Sequence, residues 1–376
     1  MSPLTAILAV AAVFYLAIPG IGAFGVRHRW RRFRRRVIQA SLLTPVTYAS
    51  VRESGSLGLG QTDVRFHGTL ESIQGEHTAW VRNRDITIAV DMASSDVYLL
   101  AHSEDDRPET PPLRASWSRV GSLPEGMKVL VAGRLDTSGP HATLRSAGGE
   151  PVLAVFYDGP ESSLVRRCIW SGRQLNEFWN SVTPGALAGG TFALIVLAYF
   201  LMRQPMPPVY ARFALGLAAV PVLPLLPPGV ALFYLYRLSW RRGRTLRAHR
   251  DVLMLPLRYL EPGTMRGRLP TGELYVRQDL APEIVARLDP DRLTTILPPF
   301  GALSDRCAVF GRASVAELAP PDDPLCEWIA VRGDPEKASR ACRRRARGYE
   351  IASAVILGAG LLANFALVMI VIGELL

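Results

Sequence analysis

Four long apolar segments constrain this chain more than any other feature of its sequence. They cover residues 3–26, 184–202, 213–236 and 351–373, and they contain no Asp, Glu, Lys or Arg. At about 1.5 Å per residue, helices of this length cross the hydrocarbon core of a bilayer. A soluble helix is rarely so apolar on every face. The sequence therefore predicts a multi-pass α-helical membrane protein with four spans.

Arginine clusters lie at one end of each apolar segment. Arginines follow the first segment between residues 27 and 36 and the third between residues 237 and 244, and they precede the second and fourth. Because such clusters remain on the cytoplasmic side, we expect both termini outside and both long hydrophilic regions inside. The first segment has no basic residues before it and exceeds a typical signal sequence, so it is interpreted as an uncleaved anchor. Arginine in place of lysine, together with many alanine, glycine and proline residues, is typical of GC-rich codon usage in bacteria. The membrane is therefore predicted to be a bacterial plasma (inner) membrane.

The same residues predict contact with anionic lipid headgroups on the cytoplasmic leaflet. Tryptophan is typical of the membrane interface, and arginine of the headgroup layer. The predicted headgroup contacts are Arg29, Trp30, Arg31, Arg32, Arg34, Arg35, Trp240, Arg241, Arg242, Arg343 and Arg344.

Prolines interrupt the third apolar segment. Pro221, Pro224, Pro227 and Pro228 fall in its middle, and each removes a backbone donor and clashes with the preceding turn. We expect a helix break there. Broken membrane helices can line transport paths, but no charged residue accompanies this break, which favours a kink buried against neighbouring helices.

The hydrophilic regions have the alternation and turn residues of β-structure. In the first, strands are predicted at 64–73, 86–90, 96–100, 127–135 and 152–157, and in the second at 273–277, 308–312 and 328–331. Several short strands are compatible with a small barrel or sandwich, of which the OB fold is one example. The predicted order is transmembrane helix 3–26, cytoplasmic β-rich domain 37–160, interfacial helix 161–180, transmembrane helix 184–202, proline-broken transmembrane segment 213–236, cytoplasmic β-rich domain 251–334, interfacial basic helix 335–350 and transmembrane helix 351–373.

Matching residues recur in the same order in the two halves of the chain and predict a tandem parallel repeat. Pro-Gly, Trp-Arg-Arg and Leu-x-x-Pro-x-x-Tyr patterns recur at nearly constant separation, and Gly-Arg, Pro-Glu and a cysteine recur later at a smaller one. A longer first domain, with an insertion between residues 49 and 130, explains the change. Shared interface chemistry would account for the Trp-Arg-Arg match but not for matches beyond the membrane. The marker pairs are Gly20 and Gly229, Pro45 and Pro256, and Tyr48 and Tyr259.

One region resembles a known module. A strand at 130–135 that ends in Gly-Arg-Leu, a hairpin, a Ser-Ser-Leu helix start at 162–164 and a membrane helix follow one another. Over residues 127–202 this resembles the "beside a membrane", or GIDE, module of membrane-bound E3 ubiquitin ligases. The resemblance implies protein–protein contact beside a bilayer. It does not imply ligase activity, because four scattered cysteines do not form the zinc-binding RING of that family.

The sequence shows few candidates for chemistry. Walker A, HExxH and G-x-S-x-G motifs are absent from it, and its six histidines are dispersed. The acidic runs at 104–106 and 322–323 could hold a hard cation, although solvated loops are the favoured interpretation. No catalytic residue, metal ligand or cofactor is predicted. Asn364, a polar residue within the fourth segment, is expected to join helices by a hydrogen bond.

These observations favour a non-catalytic membrane scaffold or accessory subunit that presents two juxtamembrane cytoplasmic domains to a protein partner. The alternative is a subunit of a transport or enzyme complex in which the broken third segment lines a path. Nucleic acid is disfavoured as a partner, because the arginines lie within headgroup reach and aromatic residues do not alternate with them.

Overall fold

The structure is a computed structural model that describes residues 2–57, 62–84, 86–100, 110–119, 123–173, 179–290, 292–300, 305–314 and 318–375. The chain forms two compact units, each described by itself. The helical unit comprises residues 1–31, 175–247 and 343–376, and the sheet unit comprises residues 32–174 and 248–342.

The helices are α1 (Pro3–Leu42, with a π-helical turn at Ala12–Ala17), α2 (Tyr48–Leu57), α3 (Leu164–Arg173), α4 (Thr183–Met202), α5 (Val209–Ala218), α6 (Gly229–Leu253), α7 (Pro282–Val285) and α8 (Pro335–Leu375). Ser2 caps the first turn of α1 by accepting a hydrogen bond from the backbone N–H of Thr5. Proline in the first turn also favours the starts of α1, α4 and α8.

Within the described residues, three helices are long and apolar enough to cross a membrane: α1, α4 and α8. Only a minor share of the apolar stretch of each is buried inside the protein, which is the pattern expected of helices that face lipid. The membrane-protein class therefore fits the structure by length and composition. Helix α1 continues from the first apolar segment through the arginine cluster that follows it. Helix α8 continues without a break from the predicted basic helix at 335–350 through residues 351–373.

The third apolar segment is divided between two helices. Helix α5 ends at Ala218, a 3₁₀ turn covers Leu223–Leu225, and α6 begins at Gly229. All four prolines of the segment lie between these helices, where a missing backbone donor costs no helical hydrogen bond.

Small residues bring the helices of the helical unit into contact. Ile7 of α1, Leu194 and Ala198 of α4, and Ala211 and Ala214 of α5 form its buried core. At Gly190, a Cβ would lie 2.6 Å from the ring of Tyr15. Glycine therefore allows α1 and α4 to approach closely.

Sheet 1, in the first domain, contains a closed barrel. Its strands are β1 (Thr44–Pro45), β2 (Thr62–Gln74), β3 (Thr78–Asn83), β4 (Ile86–Asp91), β5 (Ser95–Leu99), β6 (Leu113–Ala115), β7 (Lys128–Asp136), β8 (Thr143–Arg145) and β9 (Val152–Tyr157). Their order is β1-β2-β3-β4-β8-β7-β9-β5-β6, and β2 also pairs with β7. The second pairing closes β2, β3, β4, β8 and β7 into a ring, which has the strand number of an OB barrel.

Sheet 2, in the second domain, is smaller. Its strands are β10 (Arg266–Arg268), β11 (Leu274–Leu280), β12 (Leu293–Ile296), β13 (Cys307–Ala313), β14 (Leu318–Ala319) and β15 (Trp328–Arg332). Their order is β10-β11-β13-β15-β12, with β14 on β13. The main strands predicted from alternation are confirmed in both domains, whereas the short strands β1, β6, β8, β10, β12 and β14, and also β3, were not predicted.

Four strands have the same order, direction and register in both sheets. In β2-β7-β9-β5 and in β11-β13-β15-β12, the first two neighbouring pairs are antiparallel and the last is parallel. Val64 pairs with Gly133, and Val276 pairs with Gly311. The extra strands β3 and β4 lie in the interval where the sequence predicts an insertion.

The alternation of the two sheets corresponds as well. Leu153 pairs with Ala132 as Ile329 pairs with Phe310. In each sheet the next residue along the last strand, Ala154 or Ala330, belongs to the apolar core, so the named pairs lie on the opposite, outer face.

Two of the predicted marker pairs differ in structure. Tyr48 is exposed and begins α2, whereas Tyr259 is buried and ends a 3₁₀ turn, Pro256–Tyr259. Pro45 lies in β1, parallel to β2, whereas Pro256 begins that turn. A repeat predicts that both tyrosines occupy the same strand or turn, and this prediction is wrong. The edge of each sheet is covered differently, by β1 in sheet 1 and by the antiparallel β10 in sheet 2.

Candidate functional site

Helix α3 lies at the junction between the two domains of the sheet unit. Nine of its ten residues, from Leu164 to Gly172, are buried. Trp170 contacts the ring of His249 edge-on, with 4.9 Å between the ring centroids. Within the predicted interfacial helix at 161–180, the described part, Leu164–Arg173, is buried by protein, and its polar residues bind protein groups.

A buried ion pair joins the two domains near this helix. Arg65, on the outer face of β2, donates to the carboxylate of Asp323 and, through Nε, to the carbonyl oxygen of Leu43 at 2.8 Å. Removing either partner would leave an uncompensated buried charge.

A second pair connects α3 to sheet 2. The guanidinium of Arg166 donates twice to Glu327, at 3.1 Å and 2.8 Å, and the hydroxyl of Thr294 donates to the same carboxylate at 2.6 Å. Both charged side chains are about nine-tenths buried. Such a two-pronged contact fixes orientation as well as distance.

Three arginines donate hydrogen bonds to Asp251, near the end of α6. Arg34 and Arg173 each donate to it at 2.5 Å, and Arg250 donates through Nε at 2.8 Å. Burial alone would raise the pKa of Asp251, but the attraction of Arg173, Arg34 and Arg250 holds it below its ordinary value. The carboxylate therefore stays charged near neutral pH.

Asp96 at the start of β5 plays a similar part within the first domain. Arg36 of α1 donates to one of its oxygens at 2.6 Å, and Arg114 of β6 donates to the other at 2.6 Å. Arg36 also donates to the carbonyl oxygen of Pro151. These bonds fix the end of α1 to sheet 1.

A polar cluster around the guanidinium of Arg258 lies at the junction on the side of sheet 2. Arg258 donates to the hydroxyl of Tyr259 at 2.6 Å. Burial raises the pKa of Tyr275 well above its ordinary value and that of Cys326 to about 12. These groups are therefore protonated near neutral pH and contribute packing and polarity rather than negative charge.

The predicted headgroup residues divide into two groups. Arg29, Arg31, Arg32, Arg35, Arg241, Arg242, Arg343 and Arg344 are exposed. Trp30 is 4% exposed, Trp240 is half-buried with Arg244 over its ring, and Arg34 binds Asp251. Trp30 is therefore buried in the protein, while headgroup contact by the exposed arginines stays a prediction.

A side chain of helix α8 binds the break in the third apolar segment. Nδ2 of Asn364, on α8, donates to the carbonyl oxygens of Leu223 at 2.5 Å and Leu226 at 2.8 Å. Asn364 is 1% exposed. Each of these carbonyl oxygens also accepts a backbone hydrogen bond, that of Leu223 from the N–H of Leu226 and that of Leu226 from the N–H of Val230. The amide therefore adds a second donor at a helix break that lipid cannot solvate.

Two concave surfaces remain in the sheet unit. One, of about 270 Å³, is lined by Val285, Leu293, Cys307 and Arg332 among others. The other, a groove of about 400 Å³, lies between the end of α1 and the outer face of sheet 1. Among the residues described, no three His, Cys, Asp or Glu side chains converge as a metal site would require. The acidic run at 104–106 lies outside the described residues, while Asp322 pairs with Arg312 and Asp323 with Arg65.

The junction could have been partly anticipated from sequence. Arg65 stands between apolar residues in a strand, and a charge in that position signals a buried partner. Nothing local, however, identifies that partner as Asp323. Comparison with protein-family models, with curated proteins and with solved structures found no match to this chain.

Proposed function

We propose that this chain is an integral membrane scaffold that presents two β-domains, fixed together on the cytoplasmic side, to a protein partner. The observation that carries the proposal is the pair of buried contacts, Arg65 with Asp323 and Arg166 with Glu327. They give the two sheets one defined arrangement, so that a partner would meet a composite surface rather than two independently moving domains.

The proposed membrane arrangement has four passes. Helices α1, α4 and α8 supply three, and α5 with the apolar start of α6 supplies a broken fourth. Exposed arginines at 29–35, 241–242 and 343–344 support one cytoplasmic side, because they would contact anionic headgroups there. Both termini and the loop near Met206 would then face outward, in a bacterial inner membrane.

We further propose that the two halves arose by duplication. The shared order and register of four strands support this, as do the matched helices α3 and α8 that follow the last of those strands. The differing edges of the two sheets and the extra strands of sheet 1 are then later changes within one repeat.

A transport path through the broken segment is the alternative. The bonds from Asn364 to Leu223 and Leu226 favour the structural role instead. A helix break that lines a path presents carbonyl oxygens to the passing solute, whereas here the carbonyl oxygens of Leu223 and Leu226 accept from a buried side chain as well as from backbone N–H groups. The resemblance of residues 127–202 to the "beside a membrane" module also agrees with a protein-contact role.

The scaffold proposal is tested by comparing the proteins that co-purify with the wild type and with a variant in which both buried ion pairs of the junction are removed. The tagged wild type and the double variant Asp323→Asn, Glu327→Gln would be purified from membranes in mild detergent and their co-purifying proteins quantified. We expect a partner retained by the wild type and lost from the variant. Glu71→Gln, which alters an exposed pair, is the matched control and should retain it. A wild type that is consistently free of other proteins, or partners unchanged in the junction variant, would refute the proposal.

A further inference from the structure

One of the contacts between the two domains of the sheet unit is made by a helix. Helix α3, which follows sheet 1, packs on the outer face of sheet 2, where Val165 and Arg166 border the same small cavity as Tyr275 and Ile329. Arg166 then binds Glu327 at its edge. The helix of the first domain thus covers the outer face of the second.

Strand register identifies the corresponding positions on sheet 1. Because Val64 and Val276 pair with Gly133 and Gly311, their neighbours Asp63 and Tyr275 correspond. Leu153 corresponds to Ile329 in the same way. Asp63 and Leu153 line the open groove of about 400 Å³ against the end of α1. The position that α3 covers in sheet 2 is therefore a groove in sheet 1, with the buried Leu153 at its base and the exposed Asp63 at its rim.

The first turns of α8 are the counterpart of α3. Each helix follows the last strand of its sheet and carries one buried cysteine, Cys168 or Cys342. When these cysteines are aligned, Arg340 corresponds to Arg166. Arg340 is exposed, and among the described residues it has no carboxylate partner, donating only to the carbonyl oxygen of Glu336 at 3.4 Å.

The groove offers the matching charge. Glu150 lines it, is exposed, and forms no ion pair with any residue that the structure describes. It lies one residue before Pro151, the position that corresponds to Glu327 by strand register. The carboxylate of Glu150 lies in the sheet 1 groove, and the guanidinium of Arg340 lies at the start of α8. In the other half of the chain, the corresponding surfaces are joined by the bond from Arg166 to Glu327.

We propose that the start of α8 in one copy docks in the sheet 1 groove of a second copy, with Arg340 against Glu150. The chains would associate head to tail, repeating between molecules the contact that joins the domains within one. Such an interface uses two different surfaces and builds a ring, or an open row if the rotation does not close. The inference rests on the proposed scaffold only in that neighbouring copies must share one side of a membrane.

Cross-linking between two single variants tests the proposal. Glu150→Cys and Arg340→Cys, each with a different tag, would be co-expressed at full length and treated with a mild oxidant in membranes. The native cysteines are buried, and oxidised wild type gives their background. We expect a mixed-tag disulfide dimer from this pair and none from Glu76→Cys, an exposed control, with Arg340→Cys. Absence of the mixed dimer, or equal dimers of Glu150→Cys with itself, would overturn the head-to-tail interface.

Charge reversal provides a second measurement that needs no disulfide. In detergent, Glu150→Arg or Arg340→Glu should shift the protein to the monomer on size exclusion, and the double reversal should restore the larger species. Variants that all match the wild type would also overturn the interface. The two proposals can be refuted independently. A cross-linked dimer without other co-purifying proteins would contradict the scaffold alone. Captured partners without the dimer would contradict the head-to-tail interface alone.

Discussion

The guanidinium of Arg65 and the carboxylate of Asp323 form an ion pair that water barely reaches, with side chains 1% and 0% exposed. One residue lies on the outer face of sheet 1 and the other in the second domain. The two domains are therefore held by a contact that neither can complete alone, and most of the expected behaviour of the sheet unit follows from it.

Removing one partner of this pair should be costly. Arg65→Met or Asp323→Leu leaves an unpaired buried group, and each should lower the free energy of unfolding by about 3–5 kcal/mol. The double variant Arg65→Met, Asp323→Leu should lose less than the sum. Denaturant unfolding followed by tryptophan fluorescence measures these losses. Arg82→Gln, from an exposed pair with Glu71, is the control and should cost under about 1 kcal/mol. Additive losses in the double variant would contradict coupling.

Acid should weaken the cluster at Asp251. Because its folded pKa lies below the unfolded value, its contribution is present above the unfolded pKa of about 3.9 and is lost as the pH falls through the lower folded pKa. The melting temperatures of the wild type and Asp251→Asn should differ at pH 7 and converge towards pH 3. Glu71→Gln should show no such convergence. A difference that is constant with pH would show that the charge of Asp251 contributes nothing.

Gly133 and Gly311 should respond alike. A Cβ at Gly133 would lie 2.7 Å from the carbonyl oxygen of Arg145, and one at Gly311 would lie 2.8 Å from that of Ala319. Alanine at either position should cost about 1–3 kcal/mol of unfolding free energy, as overpacking does. At Gly139 the nearest atom would be 3.8 Å away, so Gly139→Ala should change stability little. Loss at only one of the two glycines would weaken the proposed repeat.

Neighbouring arginines on α1 should have different roles. Arg31 and Arg35 are exposed, whereas Arg34 binds Asp251 and Arg36 binds Asp96. Changing Arg31 and Arg35 to Gln should weaken retention of anionic lipid, by about 1 kcal/mol for each arginine, and leave the melting temperature unchanged. Changing Arg34 and Arg36 to Gln should lower the melting temperature and leave the retention of anionic lipid unchanged. Native mass spectrometry and thermal unfolding measure the two properties, and identical behaviour of both double variants would contradict this division.

Sequence reasoning succeeded where periodicity dominates. Alternation in 64–73 and 127–135 predicted β2 and β7 because one face of each strand is buried in an apolar core. The long apolar segments likewise predicted α4 and the apolar parts of α1 and α8. Short edge strands such as β10 and β14 were missed, because two or three residues carry no periodic signal.

The junction was beyond local patterns. Helix α3 has the polar and apolar faces of a surface helix, and it was interpreted as one. Its polar face instead binds protein, as Arg166 does with Glu327, 161 residues away in the chain. Pairing over such a separation depends on how the two sheets pack, which neither periodicity nor local charge records.

The side of the membrane on which the two sheets lie is the central claim, and cysteine labelling tests it most directly. Glu76→Cys in sheet 1, Thr271→Cys in sheet 2 and Met206→Cys between α4 and α5 are all at exposed positions, and the native cysteines are buried. With an impermeant maleimide, we predict labelling of position 206 in intact cells and of positions 76 and 271 only after the cells are broken. Labelling of 76 or 271 in intact cells, with 206 protected, would contradict the account.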